Sequence, residues 1–371
     1  MTTANALTQS FRSGIQRALR SELVASLTTP HGVDRYLETL NPAWAVHATR
    51  ARVTAVRRQT DDTVTLTLRP NDNWAGFRPG QYVRLSIDIA GRRCTRCFSP
   101  ANSAHAADGE IEITARVNDT GTLTRHLRDH ARVGTVVTLS AAEGAFALPG
   151  SRPDRILLIS GGSGITPVMA MLRTLCDEGH RGRITFLHYA RSPGMQLYRD
   201  ELAAIAAAHP NVELLLAYTD DDSGALQGRF DRRQLARAVP DYRKATTFVC
   251  GPAGLMERVE ATWEAEGIAD RLNAERFTAA PMPRDDSAEG EVRFSHSERV
   301  ATNDGGTLLD QAEAAGLRPE AGCRMGICHS CTCRKTSGRV RDTRSGAISD
   351  AGEEEIQICV SVPVGTVALD L

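Results

Sequence analysis

Apolar and polar residues alternate in short runs through the first part of the chain, at Ala51–Arg57, Thr63–Arg69, Gln81–Ile89, Glu110–Arg116 and Thr135–Ser140, separated by Gly, Pro, Asn and Asp turns. A period of two with frequent turns predicts an antiparallel β-barrel. From Arg155 the texture changes. Ile156-Leu157-Leu158-Ile159-Ser160 is nearly all apolar, as a strand covered on both faces must be, and it runs through glycines into a helical stretch at Val168–Asp177. Further apolar strands at Ile184–Tyr189, Val212–Tyr218 and Thr247–Cys250 alternate with helical stretches, which predicts an α/β domain on a parallel sheet. After Ala279–Glu291, a run of proline, small and charged residues that fits neither period, come short strands at Glu291–Phe294 and Arg299–Thr302. A helix at Thr307–Ala315 and a closing strand at Val364–Asp370 complete a small mixed α+β unit.

The chain therefore reads as multidomain: a helical extension over 1–45, a barrel over 46–150, a parallel-sheet domain over 151–278, a linker over 279–290 and a C-terminal module over 291–371. In the extension Phe11, Ile15, Leu19, Leu23 and Leu27 recur every four residues, with Arg12, Arg17 and Arg20 beside them. That spacing predicts an amphipathic helix, expected to pack on the barrel, with contact to a membrane surface as the other reading.

At 371 residues the chain exceeds one ordinary core, and no apolar run has the length of a membrane span. The start carries no basic segment followed by an apolar one, so export is not expected. Nine cysteines, an odd number, fit a reducing cytoplasm better than a disulfide framework. A cytoplasmic protein is expected, with peripheral contact at the inner face of the membrane left open. The net charge of −1 hides an asymmetry: from Asp285 onward 15 acidic residues face 9 basic ones, a net of −6, which leaves +5 upstream. An acidic module behind a basic body suits docking between the two or toward a basic partner, and equally suits plain solubility. Lys and Arg are scattered rather than interleaved with aromatics, which excludes a nucleic-acid footprint.

The strongest chemical signal is Cys323-x4-Cys328-x2-Cys331 followed at a distance by Cys359, the plant-type [2Fe–2S] ligand spacing. One loop supplies three thiolates, Gly322 and Gly326 permit the turns that wrap backbone around a cluster, and Cys359 closes the site. A four-cysteine zinc site is the competing reading, although such sites usually pair two Cys-x2-Cys units. Cys333, two residues past Cys331, is expected to point away as a small buried residue.

Four further segments carry chemistry in order: Arg96-Cys97-Phe98-Ser99, Gly121-Thr122-Leu123-Thr124, Gly161-Gly162-Ser163-Gly164-Ile165-Thr166-Pro167 and Cys250-Gly251-Pro252-Ala253-Gly254-Leu255-Met256. The third follows a buried strand and opens a helix, the setting in which glycines admit a pyrophosphate to helix N–H groups. Together with the cysteines these segments resemble the ferredoxin–NADP reductase superfamily over about residues 46–371. The fused C-terminal ferredoxin is similar to the class containing phthalate dioxygenase reductase and the reductases serving fatty-acid desaturases. The region from Trp44 to Gln81, with Arg78-Pro79-Gly80-Gln81, and the N-terminal extension resemble the desaturase-partner branch most.

The resemblance implies a flavin-binding antiparallel β-barrel, an NAD(P)-binding α/β domain and a ferredoxin-like β-grasp domain. It implies that Arg96 pairs with the flavin diphosphate, Phe98 lies on the isoalloxazine and Ser99 places its hydroxyl near flavin N5. The family usually has Tyr where Phe98 stands, so one hydroxyl contact is missing. Gly121 and Thr124 would open the helix that holds the pyrophosphate, which favours FAD over FMN. Gly162, Gly164 and Thr166, with Gly251 and Pro252, would hold the pyridine nucleotide, and Cys250 would lie by the nicotinamide, its other reading being an inert buried thiol. Arg191 could meet a 2′-phosphate and tips the choice toward NADPH over NADH; Arg229 is a weaker candidate of the same kind. Electrons would pass from NAD(P)H through FAD to the [2Fe–2S] centre and on to an acceptor, a membrane di-iron fatty-acyl desaturase first and a soluble Rieske-type or multicomponent oxygenase second. A redox-sensing, cluster-binding protein is the alternative from another class.

Overall fold

The computed structural model describes residues 19, 21–29, 31–117, 121–277, 288–322, 324–326 and 329–371. Phe11, Arg12, Ile15, Arg17 and Arg20 of the expected N-terminal helix, and 279–287 of the expected linker, lie outside the described residues. Where the extension is described, it departs from the expectation. Helix α1 (Glu22–Leu27) begins afresh at Ser21, whose backbone is extended and whose hydroxyl accepts from the Val24 N–H. A capping serine satisfies an N–H that a continuous helix would have bonded internally, so the four-residue repeat does not run through as one rod. Leu23 and Leu27 are 69% and 74% exposed instead of packed. Helix α2 (Val33–Leu40) follows, and its Asp34 carboxylate accepts from the backbone N–H groups of Val46, His47 and Ala48.

Six strands, β1 (Thr49–Arg57), β2 (Thr63–Pro70), β3 (Val83–Ile89), β4 (Arg92–Phe98), β5 (Ile111–Arg116) and β6 (Val136–Leu139), form one sheet in the order β4-β3-β6-β1-β2-β5. The described pairings are antiparallel, and Pro100, just past β4, bridges Ile113 of β5, so the two edges return to each other as in a barrel. Val53, Leu66, Leu68, Val83, Leu85, Ile113 and Val137 fill its interior. Thr65 and Thr114, side by side on β2 and β5, are buried on the opposite face of the sheet, their hydroxyls 2.8 Å apart and so mutually satisfied. Strand β4 escaped the hydrophobic pattern because Arg92-Arg93-Cys94-Thr95-Arg96-Cys97-Phe98 is too polar to announce itself.

The second sheet is parallel throughout: β7 (Arg155–Gly161), β8 (Arg183–Ala190), β9 (Val212–Tyr218), β10 (Leu226–Gln227), β11 (Thr246–Cys250) and β12 (Leu272–Glu275), ordered β10-β9-β8-β7-β11-β12. Between β7 and its helix α4 (Ile165–Asp177; α3 is Thr122–His130) lies a single 3-10 turn, Gly162–Gly164. The chain adds strands outward on one side of β7 as far as β10, then returns to the other side with β11 and β12. That reversal between β7 and β11 creates a crevice at the strands' C-terminal ends, where open α/β sheets bind ligands. Helices α5 (Arg199–Ala208), α6 (Arg232–Ala238) and α7 (Ala253–Ala265) complete the crossovers; Trp263 of α7 is fully buried against Tyr242.

The third sheet holds β13 (Glu291–Phe294), β14 (Arg299–Thr302), β15 (Thr332–Asp342), β16 (Glu354–Gln357) and β17 (Ser361–Leu369) in the order β14-β13-β17-β15-β16. β13 and β17 run parallel and the other pairings are antiparallel, a mixed β-grasp arrangement. Helix α8 (Leu308–Ala314), capped by the Thr307 hydroxyl, packs Leu308, Leu309 and Ala312 with Val292 and Phe294 in the module's core. Lys335 is fully buried on β15, its ammonium donating to the carbonyls of Gly338 at 2.9 Å, Asp350 at 2.8 Å and Gly352, which satisfies all three of its protons. No helix among the described residues is long and apolar enough to cross a membrane.

Candidate functional site

The crevice of the parallel sheet gathers residues that are distant in sequence. β7 ends at Gly161, β11 at Cys250 and β12 at Glu275, and the register sets Ser160 beside Cys250 and Cys250 beside Glu275. The glycines are there for clearance. A Cβ on Gly164 would sit 2.2 Å from the Cys250 carbonyl oxygen and 2.7 Å from the Gly251 nitrogen, and one on Gly161 would sit 2.9 Å from Pro252 and Leu255. The atoms facing Gly164 are backbone and cannot yield by such amounts, so the two loops meet there only because a side chain is missing. Gly162 has φ +54°, in the left-handed region. Thr166, almost fully buried, donates its hydroxyl to the Ser163 carbonyl at 3.2 Å. Gly162, Gly164, Thr166, Gly251 and Pro252 thus converge at the opening of a 13-residue helix, the kind of place where an anionic group such as a pyrophosphate could be held.

Cys250 is completely buried, and burial first and Glu275 second push its thiol well above its usual range, so it carries its proton at neutral pH. Glu275 was not legible in the sequence, because the four-residue β12 on which it stands breaks no pattern. Burial raises its carboxyl from 4.5 to about 8, and its Oε2 is buried with no hydrogen-bond partner among the described residues. A protonated carboxylic acid beside a thiol at the mouth of a crevice can donate a hydrogen bond or hold a proton. Its place at the C-terminal end of the strand flanking β11 is the signal that could have found it.

In the barrel Arg96 and Phe98 share one face of β4, and Ser99 follows at its end. The Ser99 hydroxyl is buried, the residue being 2% exposed, and has no partner among the described residues. An orphaned hydroxyl is costly, and it fits a group bound against it. Phe98 is half-buried. The Arg96 guanidinium donates to the Thr95 carbonyl at 2.7 Å, and burial holds its pKa below the usual value. Gly121 is the N-cap of α3, where no side chain among the described residues caps the first turn, and Leu123 and Leu127 anchor the helix. Thr124 lies in that turn, half-buried.

Cys323 and Cys328 lie outside the described residues; Cys331 and Cys359 are described and buried, at 3% and 4% exposure. They are neighbours, since the Ile358 N–H donates to the Cys331 carbonyl at 3.2 Å, and the Gly326 N–H donates to Cys359 Sγ at 3.3 Å. Arg324 (φ +59°), Gly326 (φ +69°) and His329 (φ +55°) all take left-handed backbone, the tight winding a loop needs to turn several groups inward. A backbone donor aimed at a buried sulfur, within such a loop, fits a thiolate-ligated cluster. Cys333 is buried, and burial raises its thiol to about 11, as suits a packing residue more than a ligand. Arg191 is exposed beyond β8, donating to Met195 Sδ at 2.8 Å and pairing with no carboxylate among the described residues, although Asp220 is joined to it through the backbone. Arg229 is exposed as well.

Residues 50–148 match the family of oxidoreductase FAD-binding domains, 158–261 the oxidoreductase NAD-binding domains and 294–364 the 2Fe-2S iron-sulfur cluster binding domains. An NADPH oxidoreductase of Mycobacterium tuberculosis is 38% identical over 359 residues, covering 95% of this chain and 92% of its own. This chain belongs to the ferredoxin-fused flavoprotein reductases. The reductase is also 31% identical to the stachydrine N-demethylase reductase subunit of Rhizobium meliloti, over 79% of this chain and 87% of the relative. Phthalate dioxygenase reductase shares its fold, with a TM-score of 0.60 over 87% of this chain and 97% of that one, at 21% identity. The reductase is therefore an NAD(P)H-dependent oxidoreductase with FAD-binding, NAD-binding and [2Fe–2S] domains in that order.

Proposed function

We propose that this reductase takes electrons from NAD(P)H and delivers them singly, through FAD and a [2Fe–2S] cluster, to a partner oxygenase. The observation that carries the reading is the cysteine site: Cys331 and Cys359 are buried while Arg324 and His329 in the same loop are exposed, so a cluster there would lie just under the surface, where an electron can leave. The flavin's contribution, when bound, is to accept electrons as a pair and release them one at a time. The protein's residues hold and orient. In this reading Arg96 and the α3 opening at Gly121 and Thr124 grip the flavin diphosphate, Phe98 covers the ring and Ser99 meets N5. The Gly162, Gly164, Thr166, Gly251 and Pro252 cradle holds the pyridine nucleotide, with Cys250 beside the nicotinamide and Arg191 toward the 2′-phosphate of NADPH. Cys323, Cys328, Cys331 and Cys359 ligate the cluster, and the modules run as delimited by the sequence pattern.

The acceptor we favour is a membrane di-iron fatty-acyl desaturase. Support comes from the extension, where Leu23, Leu27, Tyr36, Leu40 and Trp44 are large apolar residues left exposed, a set suited to peripheral contact with a membrane or a membrane partner. A Rieske-type or multicomponent oxygenase is the second reading, favoured by relatives named as reductase subunits of stachydrine N-demethylase and glycine betaine monooxygenase. Anaerobic titration with NADPH and with NADH tests the internal chain: about three electrons should be taken up, two on flavin and one on the cluster. Cys359→Ser should abolish the third while NAD(P)H–ferricyanide activity persists, and bleaching of flavin alone in the wild type would sink the scheme. Reconstitution with each class of oxygenase, with and without liposomes, separates the acceptors.

A further inference from the structure

The excursion after β15 reaches back to the cysteine loop through one side chain. The Arg344 guanidinium donates through Nη1 to the Gly326 carbonyl, and through Nε and Nη2 to the two oxygens of Asp342, at 3.2 and 2.7 Å. Asp342 Oδ1 also accepts from the backbone N–H groups of Arg344 at 2.8 Å and Ser345 at 3.1 Å, so the carboxylate is pinned to the chain that carries the arginine. The neighbouring Thr343 N–H donates to the Val360 carbonyl at 2.8 Å, tying the excursion to the residue after Cys359. Gly326 is enclosed between these supports. A Cβ there would meet Arg344 Nη1 at 2.7 Å and Val360 Cγ2 at 2.8 Å, and its own N–H is the donor that lies 3.3 Å from Cys359 Sγ.

We infer that Arg344, braced by Asp342, is a positioning residue for the cluster: it holds Gly326 so that the Gly326 N–H stays aimed at Cys359 Sγ and thereby raises the cluster's reduction potential. The inference rests on the [2Fe–2S] reading of Cys359. Two effects of the arginine can be separated. Its positive charge lies near the sulfur, but the bidentate Asp342 carboxylate largely cancels it, so geometry outweighs charge. Reduction adds one electron to an already anionic thiolate-bound centre, and an N–H donor on sulfur favours that more negative state. Freeing Gly326 weakens the donor and makes reduction less favourable.

The test is potentiometry of the purified, loaded protein, following the cluster's visible and EPR signals, on wild type, Arg344→Gln and Asp342→Asn. Both variants should shift the one-electron equilibrium against reduction by about fivefold to tenfold, tenfold being about 59 mV. Arg344→Lys should recover part of the shift. The choice of variants separates positioning from charge: Asp342→Asn loses the Oδ2 half of the brace, puts a donor where Arg344 Nη2 donates and leaves the arginine's charge uncompensated, so a charge effect alone would raise its potential. A rise in Asp342→Asn, or no shift in either variant, overturns the inference. If Arg344→Gln does not load its cluster, Asp342→Asn decides by the same sign. Failure of the underlying reading looks different, since wild-type protein would then lack iron, acid-labile sulfide and the EPR signal.

Discussion

The buried hydroxyl of Ser99 gives the sharpest test of the flavin site, because its replacement by alanine should act with opposite signs in the two states of the protein. Among the described residues the Oγ is buried with no partner, a situation that costs about 1–3 kcal/mol for as long as nothing is bound against it. Ser99→Ala removes that penalty and leaves only an oxygen-sized gap, so the flavin-free variant should be as stable as wild type or more stable by up to about 1 kcal/mol once the lost packing is counted. On the proposed reading the hydroxyl gains its partner when flavin binds. A neutral hydrogen bond contributes about 1 kcal/mol, so the variant should bind FAD about fivefold more weakly and pass hydride to it more slowly. The assay is urea unfolding of the reversibly deflavinated protein, set beside FAD titration by fluorescence quenching and stopped-flow reduction by NAD(P)H. Destabilisation of the flavin-free form by more than about 1 kcal/mol, with FAD affinity unchanged, would refute the reasoning, because the hydroxyl would then have a structural role and no part in flavin binding.

Gly164→Ala forces a Cβ to 2.2 Å from the Cys250 carbonyl oxygen, so it should destabilise the protein by about 1–3 kcal/mol or more and raise the KM for NAD(P)H, checked by thermal unfolding and steady-state kinetics. Glu275 supplies a pH dependence whose sign follows from its raised pKa. Its contribution to stability is complete below the ordinary carboxyl range near 4.5 and is lost as pH rises through about 8, because the folded state holds the proton that the unfolded state releases. Urea midpoints between pH 4 and 9 should therefore fall more steeply with rising pH in wild type than in Glu275→Gln; equal slopes would show that the carboxyl is not held protonated. Arg191→Ala should raise the KM for NADPH by about tenfold or more, the loss of one charge-assisted contact, while leaving that for NADH nearly unchanged. Equal effects on the two nucleotides would remove Arg191 from the 2′-phosphate.

What the sequence determined by itself was whatever a local period or a fixed spacing encodes. The alternation at Thr63–Arg69 and the unbroken run at Ile156–Ser160 disclosed a barrel strand and a strand buried on both faces, because side-chain direction repeats every two residues and coverage of one or both faces dictates which positions can be polar. The cysteine spacing disclosed an iron–sulfur module at the C-terminal end of the chain, since ligand geometry constrains loop length. Polar or very short elements stayed hidden: β4 carries three arginines and a threonine with no regular alternation of apolar residues, and β12 is four residues long. Each exists because neighbouring strands offer it backbone partners, and hydrogen bonds to a sheet leave no periodic mark on a sequence. Tertiary structure alone set Glu275 beside Cys250, closed Gly164 onto the Cys250 carbonyl and brought Arg344 to Gly326 across 18 residues of chain. Those pairings depend on strand order and on close approach, which are decided by how complete elements pack and not by any stretch of residues read alone.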